Sequence, residues 1–131
     1  MTHIALTPPM GWNSWDCYGE AVTEKEVKQN ADYIAKHMKK HGWEYVVVDI
    51  LWFDPDATDS QYTPYGDICL DEYGRCIPAV NRFPSAADGK GFAPLAEYIH
   101  NLGLKFGIHI MRGVPRKAVY ARCPIKGTDL T

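Results

Sequence analysis

Residues 45–52 read YVVVDILW, an apolar run broken by the single carboxylate of Asp49. Three valines and an isoleucine make the run rich in β-branched side chains, which favour extended backbone. A continuous apolar run of this length is typical of a strand that is buried on both faces, as in a parallel sheet covered by helices. We therefore predict a buried strand over residues 45–52.

The segment before this strand predicts a helix. Thr23 and Glu26 have the spacing of a capping box, in which each side chain satisfies a free amide of the first helical turn. Apolar residues then recur at helical spacing over residues 27–38, and Gly42 follows as a residue suited to a left-handed cap. Residues 8–16 are typical of a short strand that ends in a loop.

The segment after residue 88 has the same organisation. Residues 92–102 carry a second helical stripe, residues 104–110 predict a third strand, and residues 115–120 begin a third helix. Strands that alternate with helices predict right-handed crossovers and an α/β fold with a parallel sheet. The intervening loop, residues 53–88, is long, and loops of this length are usually functional.

Composition excludes several classes of protein. The chain has 131 residues with 14 Lys and Arg against 16 Asp and Glu, and its net charge of −2 gives no general attraction to nucleic acid. No apolar run approaches the ~20 residues of a membrane helix, so we expect no membrane association. Residues 1–6 lack the basic start and apolar core of a secretory signal, which predicts a cytoplasmic protein.

The four cysteines, Cys17, Cys69, Cys76 and Cys123, lack the spacing of a metal site. We expect reduced thiols in a cytoplasmic protein, with Cys17 as a buried, inert thiol near the end of the first strand. A bridge between Cys69 and Cys76 is the alternative in an oxidising compartment.

Polar or aromatic residues lie at or just past the carboxyl end of each of the three predicted strands. Asp49 is a carboxylate in apolar surroundings and must be paired or solvated. His109 lies at the equivalent end of the third strand, and Trp15 lies just past the first. Ligands bind at the carboxyl ends of parallel strands, so these three residues could converge on one mouth. The alternative for each residue is a structural role: Asp49 could cap the next loop, and His109 could pack against its neighbours without contacting a ligand.

Two charged features are predicted to be structural. Asp54, Asp56 and Asp59 lack the ligand order of a calcium loop and are expected to solvate a turn, so no metal site is predicted. Arg112 follows the third strand, where it could reach a bound ligand or, as we favour, pair with Asp49 or Asp54.

Three blocks of the sequence resemble glycoside hydrolase family 27, the α-galactosidase or melibiase family. They are TPPMGWNSW at residues 7–15, GWEYVVVD at residues 42–49 with Trp52, and RFPS at residues 82–85 followed by GLKFGI at residues 103–108. The resemblance covers roughly residues 6–113. It implies a (β/α)8 barrel, of which residues 1–131 would form the N-terminal three βα units of a single catalytic domain.

The same resemblance implies a retaining mechanism that needs no metal or organic cofactor. A carboxylate nucleophile and a carboxylic acid about 5–5.5 Å apart act on the anomeric carbon and the leaving oxygen. In the family these two groups follow the fourth and sixth strands, so they would lie beyond Thr131. None of residues 1–131 is therefore expected to be catalytic. We expect the isolated 131-residue chain to be inactive, and to be unstable or to aggregate.

The resemblance also implies a substrate-binding set at the non-reducing end of a sugar. Trp15 matches the tryptophan that packs on the sugar ring, and Asp49 matches the first of two acids that hold the hydroxyls at the 4 and 6 end of galactose. Trp52 matches a tryptophan for which simple wall packing is the favoured role. His109 occupies a position that is usually tyrosine, so a polar role facing the ligand is implied.

Ile50 departs from the family, because it stands where the second acid is usual. An isoleucine cannot bond the 6-hydroxyl, and burying that hydroxyl against it would cost roughly 1–3 kcal/mol. A sugar without the hydroxymethyl group, such as β-L-arabinopyranose, would suit this position. The alternative is that Ile50 faces the barrel wall and a loop residue replaces the acid.

The expected activity is release of terminal α-D-galactose by the parent protein, with a β-L-arabinopyranosidase of the same family as the alternative that Ile50 favours. A non-catalytic carbohydrate-binding module is the alternative of another class. A third possibility, a different parallel α/β enzyme with Asp49 and His109 as acid and base, conflicts with the Trp-rich first motif. The sequence makes no prediction of oligomeric state.

Overall fold

A three-stranded parallel sheet organises the chain. The computed structural model describes residues 6–58 and 66–131. Its strands are β1 (Gly11–Asn13), β2 (Tyr45–Val48) and β3 (Lys105–Ile108), in the spatial order β1-β2-β3. Trp12, Val46 and Phe106 lie in register across the sheet. The predicted parallel α/β arrangement is therefore confirmed for this part of the chain.

Helices connect and follow the strands. They are α1 (Trp15–Tyr18), α2 (Glu24–Tyr33), α3 (Ala93–Asn101) and α4 (Arg116–Tyr120). A π-helical turn, Ile34–Met38, and a 3-10 turn, Lys39–His41, continue α2, and a further 3-10 turn spans Pro84–Ala86. Among the described residues, no helix has the length and apolar character needed to cross a membrane.

The predicted start and end of the first long helix are confirmed. The capping box is present, and the Glu26 carboxylate accepts the main-chain N–H of Thr23 at 2.8 Å. The helical segment ends at Gly42, whose φ of 90° is the left-handed conformation that glycine adopts without a steric penalty.

The strand predicted over residues 45–52 is shorter than expected and ends at Val48. The Asp49 carboxylate accepts the N–H of Ile50 at 2.7 Å, and Leu51 takes a positive φ of 64°, so the chain turns away from the sheet. Leu51 and Trp52 are nevertheless buried in the core. Their apolar character therefore reflects packing of a turn and not continued β structure.

The core lies between one face of the sheet and the two long helices. Val46 and Val48 on β2 are fully buried on this face, where they pack with residues of α2 and α3. Tyr45 and Val47 point to the opposite face and are only half-buried. The prediction of a strand buried on both faces is therefore wrong, because among the described residues helices cover one face alone.

A short hairpin in the long loop brings two cysteines together without joining them. Leu70 and Cys76 lie directly opposite each other in an antiparallel bridge, and Ile77 donates its N–H to the carbonyl of Cys69 at 3.1 Å. Side chains alternate between the two faces of a ladder, so Cys69 and Cys76 face opposite sides and are poorly placed for a disulfide. All four cysteines are free.

Arg82 is a buried cation that ties together the loops after β1 and β2. Its guanidinium donates to four main-chain carbonyls, those of Glu20, Val22, Leu51 and Asp54. Burial lowers the pKa of Arg82, and the carboxylates of Asp54 and Glu20 oppose that effect. Hydrogen bonds to a charged donor are stronger than neutral ones, so this residue fixes the separation of the two loops.

We expect Arg82→Lys to lower the free energy of unfolding by about 3 kcal/mol, because one ammonium group cannot replace a planar fork bonded to four carbonyls. Urea unfolding of the whole protein measures the change. Arg75→Lys is the matched control, since Arg75 pairs with Asp71 at the surface and such pairs contribute below about 1 kcal/mol. Equal unfolding midpoints for the two variants would contradict this role.

Glu20 lies beside this buried cation. Burial, together with the Asp54 carboxylate, raises the pKa of Glu20 above its ordinary value of 4.5. A carboxyl of this kind binds its proton more tightly in the folded state than in the unfolded state. The stability that it contributes is therefore lost as the pH rises from 4.5 through the folded pKa.

We expect Glu20→Gln to gain stability relative to the original protein as the pH rises through this window. Thermal unfolding of both proteins over a pH series measures the difference in Tm. Glu97→Gln is the control, because Glu97 is exposed on α3. A Tm difference for Glu20→Gln that does not change with pH would show that the buried carboxyl has no part in the pH dependence.

Candidate functional site

The residues that follow the three strands line one open cavity of about 490 Å³. Its lining residues are Asn13, Trp15, Asp16, Asp49, Ile50 and His109. All four residues singled out from the sequence, Trp15, Asp49, Ile50 and His109, are among them. The parallel order of the sheet explains this, because it places the carboxyl ends of the three strands at the same edge.

The first wall follows β1. Ser14 donates its N–H to the carbonyl of Val47 at 3.1 Å, which extends the strand pairing one residue beyond β1. The side chain of Asn13 accepts the N–H of Trp15 at 2.8 Å and so fixes the start of α1. Trp15 stays 42% exposed, a large fraction for a tryptophan, and it lines the cavity.

Asp49 forms the floor and is held by three neighbours. Its N–H donates to the hydroxyl oxygen of the fully buried Ser14 at 2.9 Å. Its Oδ1 accepts the N–H of Ile50 at 2.7 Å and faces Nδ1 of His109 at 2.9 Å. Asp49 therefore caps the turn after β2, as the structural alternative expected, and also lines the cavity.

His109 forms the third wall. Its main-chain N–H donates to the carbonyl of Val48 at 2.9 Å, and its own carbonyl accepts the indole N–H of Trp52 at 2.9 Å. Trp52 is buried and meets Phe53 and Phe92 edge to face, so it has the packing role that the sequence favoured. The imidazole of His109 itself is about half exposed, with 53% of its side-chain surface accessible.

Ile50 faces both the cavity and the protein interior, the two positions considered from the sequence. Its half-buried side chain lines the cavity and also packs against the hydrophobic core. The position beside Asp49 is therefore apolar, and the lining residues supply no second acid there. Asp16 is the other carboxylate on the cavity wall, and it lies on α1.

Two predictions near the site are wrong. Arg112 is exposed and, within the described ranges, forms no ion pair with Asp49 or Asp54. Asp49 is instead partnered by His109, and the carboxylate of Asp54 accepts the N–H of Asp56 at 2.9 Å, as expected of a turn. Cys17 is exposed, not buried, and it does not line the cavity.

Sequence reasoning did not single out Asn13, Ser14 and Asp16. Their signal was the small and polar residues around Trp15 in the first motif, which mark the end of a strand. Asp59, the third member of the acidic cluster, lies outside the described residues. Across residues 6–58 and 66–131, no three His, Cys, Asp or Glu side chains lie close enough to share a metal ion.

Comparisons with known proteins show which enzymes this chain is similar to. A family model described as alpha galactosidase A matches residues 7–124. The alpha-galactosidase of Coffea arabica is 33% identical over 107 residues, which are 81% of this chain and 24% of that protein. The residues matched by the family model include β1, β2 and β3.

Solved structures show the same relation. A family 27 β-L-arabinopyranosidase from Geobacillus stearothermophilus, determined in complex with arabinose, is 67% identical with a TM-score of 0.94 and covers 96% of this chain and 29% of its own. Alpha-galactosidase I from Mortierella vinacea is 34% identical with a TM-score of 0.57, over 80% of this chain and 22% of its own. The chain spans less than a third of the length of these relatives.

We expect Ser14→Ala to lower the free energy of unfolding by about 1–3 kcal/mol, because the buried N–H of Asp49 would lose its acceptor. Urea unfolding measures this change. Thr128→Ala removes an exposed hydroxyl bonded to the carbonyl of Ile125 and is the control, with an expected effect within about 0.5 kcal/mol. Equal effects of the two substitutions would mean that Ser14 does not support the floor of the cavity.

Proposed function

The chain belongs to glycoside hydrolase family 27, the family of alpha galactosidase A, and we propose that it supplies the first three βα units of a retaining (β/α)8 glycosidase. In this proposal its cavity holds the terminal sugar at the non-reducing end. The catalytic nucleophile and acid/base come from the rest of the whole protein, which shares the single catalytic domain with residues 1–131.

The lining residues support a sugar pocket. The exposed face of the Trp15 indole offers an apolar surface to the C–H groups of a pyranose ring. Asp49 offers a carboxylate oxygen, and a hydrogen bond from a sugar hydroxyl to a charged acceptor contributes about 1.5–3 kcal/mol. Trp15 and Asp49 are held by main-chain bonds at the strand ends, so the pocket is formed before the ligand arrives.

The sugar that this pocket fits best is a terminal β-L-arabinopyranose. The observation that carries this proposal is Ile50 on the cavity wall beside Asp49. A hydroxymethyl group placed against Ile50 would lose its hydrogen bonds to water and gain none, whereas the bare C5 methylene of arabinopyranose would make apolar contact. The 67% identity to the Geobacillus stearothermophilus β-L-arabinopyranosidase supports the same choice.

A terminal α-D-galactoside is the second candidate. The curated relatives, including the 33% identical protein of Coffea arabica, are named alpha-galactosidases. The two sugars share the ring C–H groups that Trp15 would meet and the ring hydroxyls that Asp49 would meet, and they differ in the group that meets Ile50. The discrimination therefore depends on one side chain of this chain.

The proposed reaction proceeds by double displacement. One carboxylate attacks the anomeric carbon while a carboxylic acid about 5–5.5 Å away protonates the leaving oxygen. Water, deprotonated by the same second group, then attacks the anomeric carbon, so that the bond to the first carboxylate breaks and the sugar leaves with retained configuration. The residues of this chain bind and orient the ring, so their loss is expected to act mainly through KM.

We expect the whole protein to prefer 4-nitrophenyl β-L-arabinopyranoside over the α-D-galactopyranoside by about tenfold or more in kcat/KM, the effect of one unsatisfied buried hydroxyl. Ile50→Asp is expected to shift this ratio toward the galactoside by a similar factor. Ile50→Val, which keeps an apolar wall, is the control and should leave the ratio within about threefold.

Three results would count against these assignments. A galactoside preference that Ile50→Asp leaves unchanged would overturn the role of Ile50 and favour the α-galactosidase alternative. A galactoside preference that Ile50→Asp increases would overturn the choice of arabinoside and retain Ile50 as a pocket residue. Binding of either sugar without hydrolysis of any aryl glycoside would favour the carbohydrate-binding module.

A further inference from the structure

In the Asp49–His109 pair, one oxygen and one nitrogen have no hydrogen-bond partner among the described residues. Oδ1 of Asp49 already meets the N–H of Ile50 at 2.7 Å and Nδ1 of His109 at 2.9 Å. Within the described part of the chain, no protein group bonds Oδ2 of Asp49 or Nε2 of His109. Both residues line the cavity, so these two atoms are available to a ligand.

The contact between them also determines where the imidazole carries its hydrogen. A carboxylate oxygen can only accept, so Nδ1 of His109 must be the donor in the 2.9 Å bond. In the neutral ring the other nitrogen, Nε2, is then an acceptor. The pair therefore presents two acceptors to the cavity, one from the carboxylate and one from the ring.

The main chain holds His109 in place for this role. Its N–H is bonded to Val48 at the end of β2, and its carbonyl is bonded to the indole of the buried Trp52. The backbone of His109 is therefore fixed on both sides while its ring remains accessible. Asp49, with only 11% of its side chain accessible, meets that ring through the same Oδ1 that accepts the N–H of Ile50.

We propose that His109 is a positioning and specificity residue of the sugar pocket. Its Nδ1–H holds Asp49 with one oxygen toward the protein and the other toward the ligand, and its Nε2 accepts a second hydrogen bond. Two adjacent acceptors fit two neighbouring hydroxyl groups of a pyranose, each donating its own hydrogen. This inference rests on the proposed function for its ligand but not for its hydrogen-bond geometry.

The kinetic test compares three substitutions in the whole protein. Asparagine at 109 places an amide nitrogen near the position of Nδ1, glutamine places one near Nε2, and phenylalanine places none. We expect His109→Phe to raise KM for the preferred aryl glycoside about tenfold or more with kcat changed less than about threefold. The increase in log KM for His109→Asn should be at most half of that for His109→Phe. The increase for His109→Gln should lie above that for His109→Asn.

Equal KM values for His109→Phe and His109→Asn would overturn the positioning role, because a donor at the Nδ1 position would then have no effect. A fall in kcat with KM unchanged would also overturn it. If glutamine restores KM and asparagine does not, the effect of His109 on KM comes from Nε2. That result would refute the bond between Nδ1 and Asp49 as the cause of the KM effect.

A spectroscopic test does not depend on turnover. In ¹⁵N-histidine-labelled whole protein, the resonances of His109 are assigned by their loss in His109→Asn. At a pH of about 8.5, well above the ordinary imidazole pKa of about 6.5, we expect the Nδ1–H tautomer, and its reversal to the Nε2–H form in Asp49→Ala. A ring protonated at Nε2 in the original protein would overturn the inference even if arabinosides are hydrolysed. The expected tautomer with no hydrolysis would leave the inference standing and the proposed function wrong.

Discussion

The guanidinium of Arg82 holds the part of the fold on which the cavity depends. It donates to main-chain carbonyls in the loop after β1 and in the turn after β2. The main-chain carbonyl of Arg82 in turn accepts the N–H of Glu24, the first residue of α2. The cost of burying this cation is offset because the four bonds donated by the guanidinium are charge-assisted. The walls that carry Trp15 and Asp49 are thereby fixed relative to each other before any ligand binds.

The three short strands hold the cavity residues in place because hydrogen bonding to β2 continues past the ends of β1 and β3. Ser14 and His109 each donate a main-chain N–H to β2, one residue past the ends of β1 and β3. The side chains that line the cavity therefore start from hydrogen-bonded backbone and not from free loops. Preorganised groups of this kind lose little entropy on binding, which suits recognition of a small, polar ligand.

Much of the fold could be predicted from local signals, such as the capping box at Thr23 and the left-handed glycine at Gly42. The end of β2 could not, because residues 51 and 52 are as apolar as a strand while packing into the core from a turn. Strand ends and the family resemblance identified Trp15, Asp49, Ile50 and His109. The contacts of Asp49 with Ser14 and His109 could not be predicted, because they depend on the register of three strands that are far apart in the sequence.

Ile50 contributes to the site in two separable ways. Its main-chain N–H helps to hold Asp49, and its side chain forms the apolar wall. Any residue other than proline at position 50 retains that amide, so the wall can change its chemistry while the carboxylate stays in place. Under the proposed function, a lineage could exchange one terminal sugar for another by a single substitution, without passing through an ancestor that has lost the pocket.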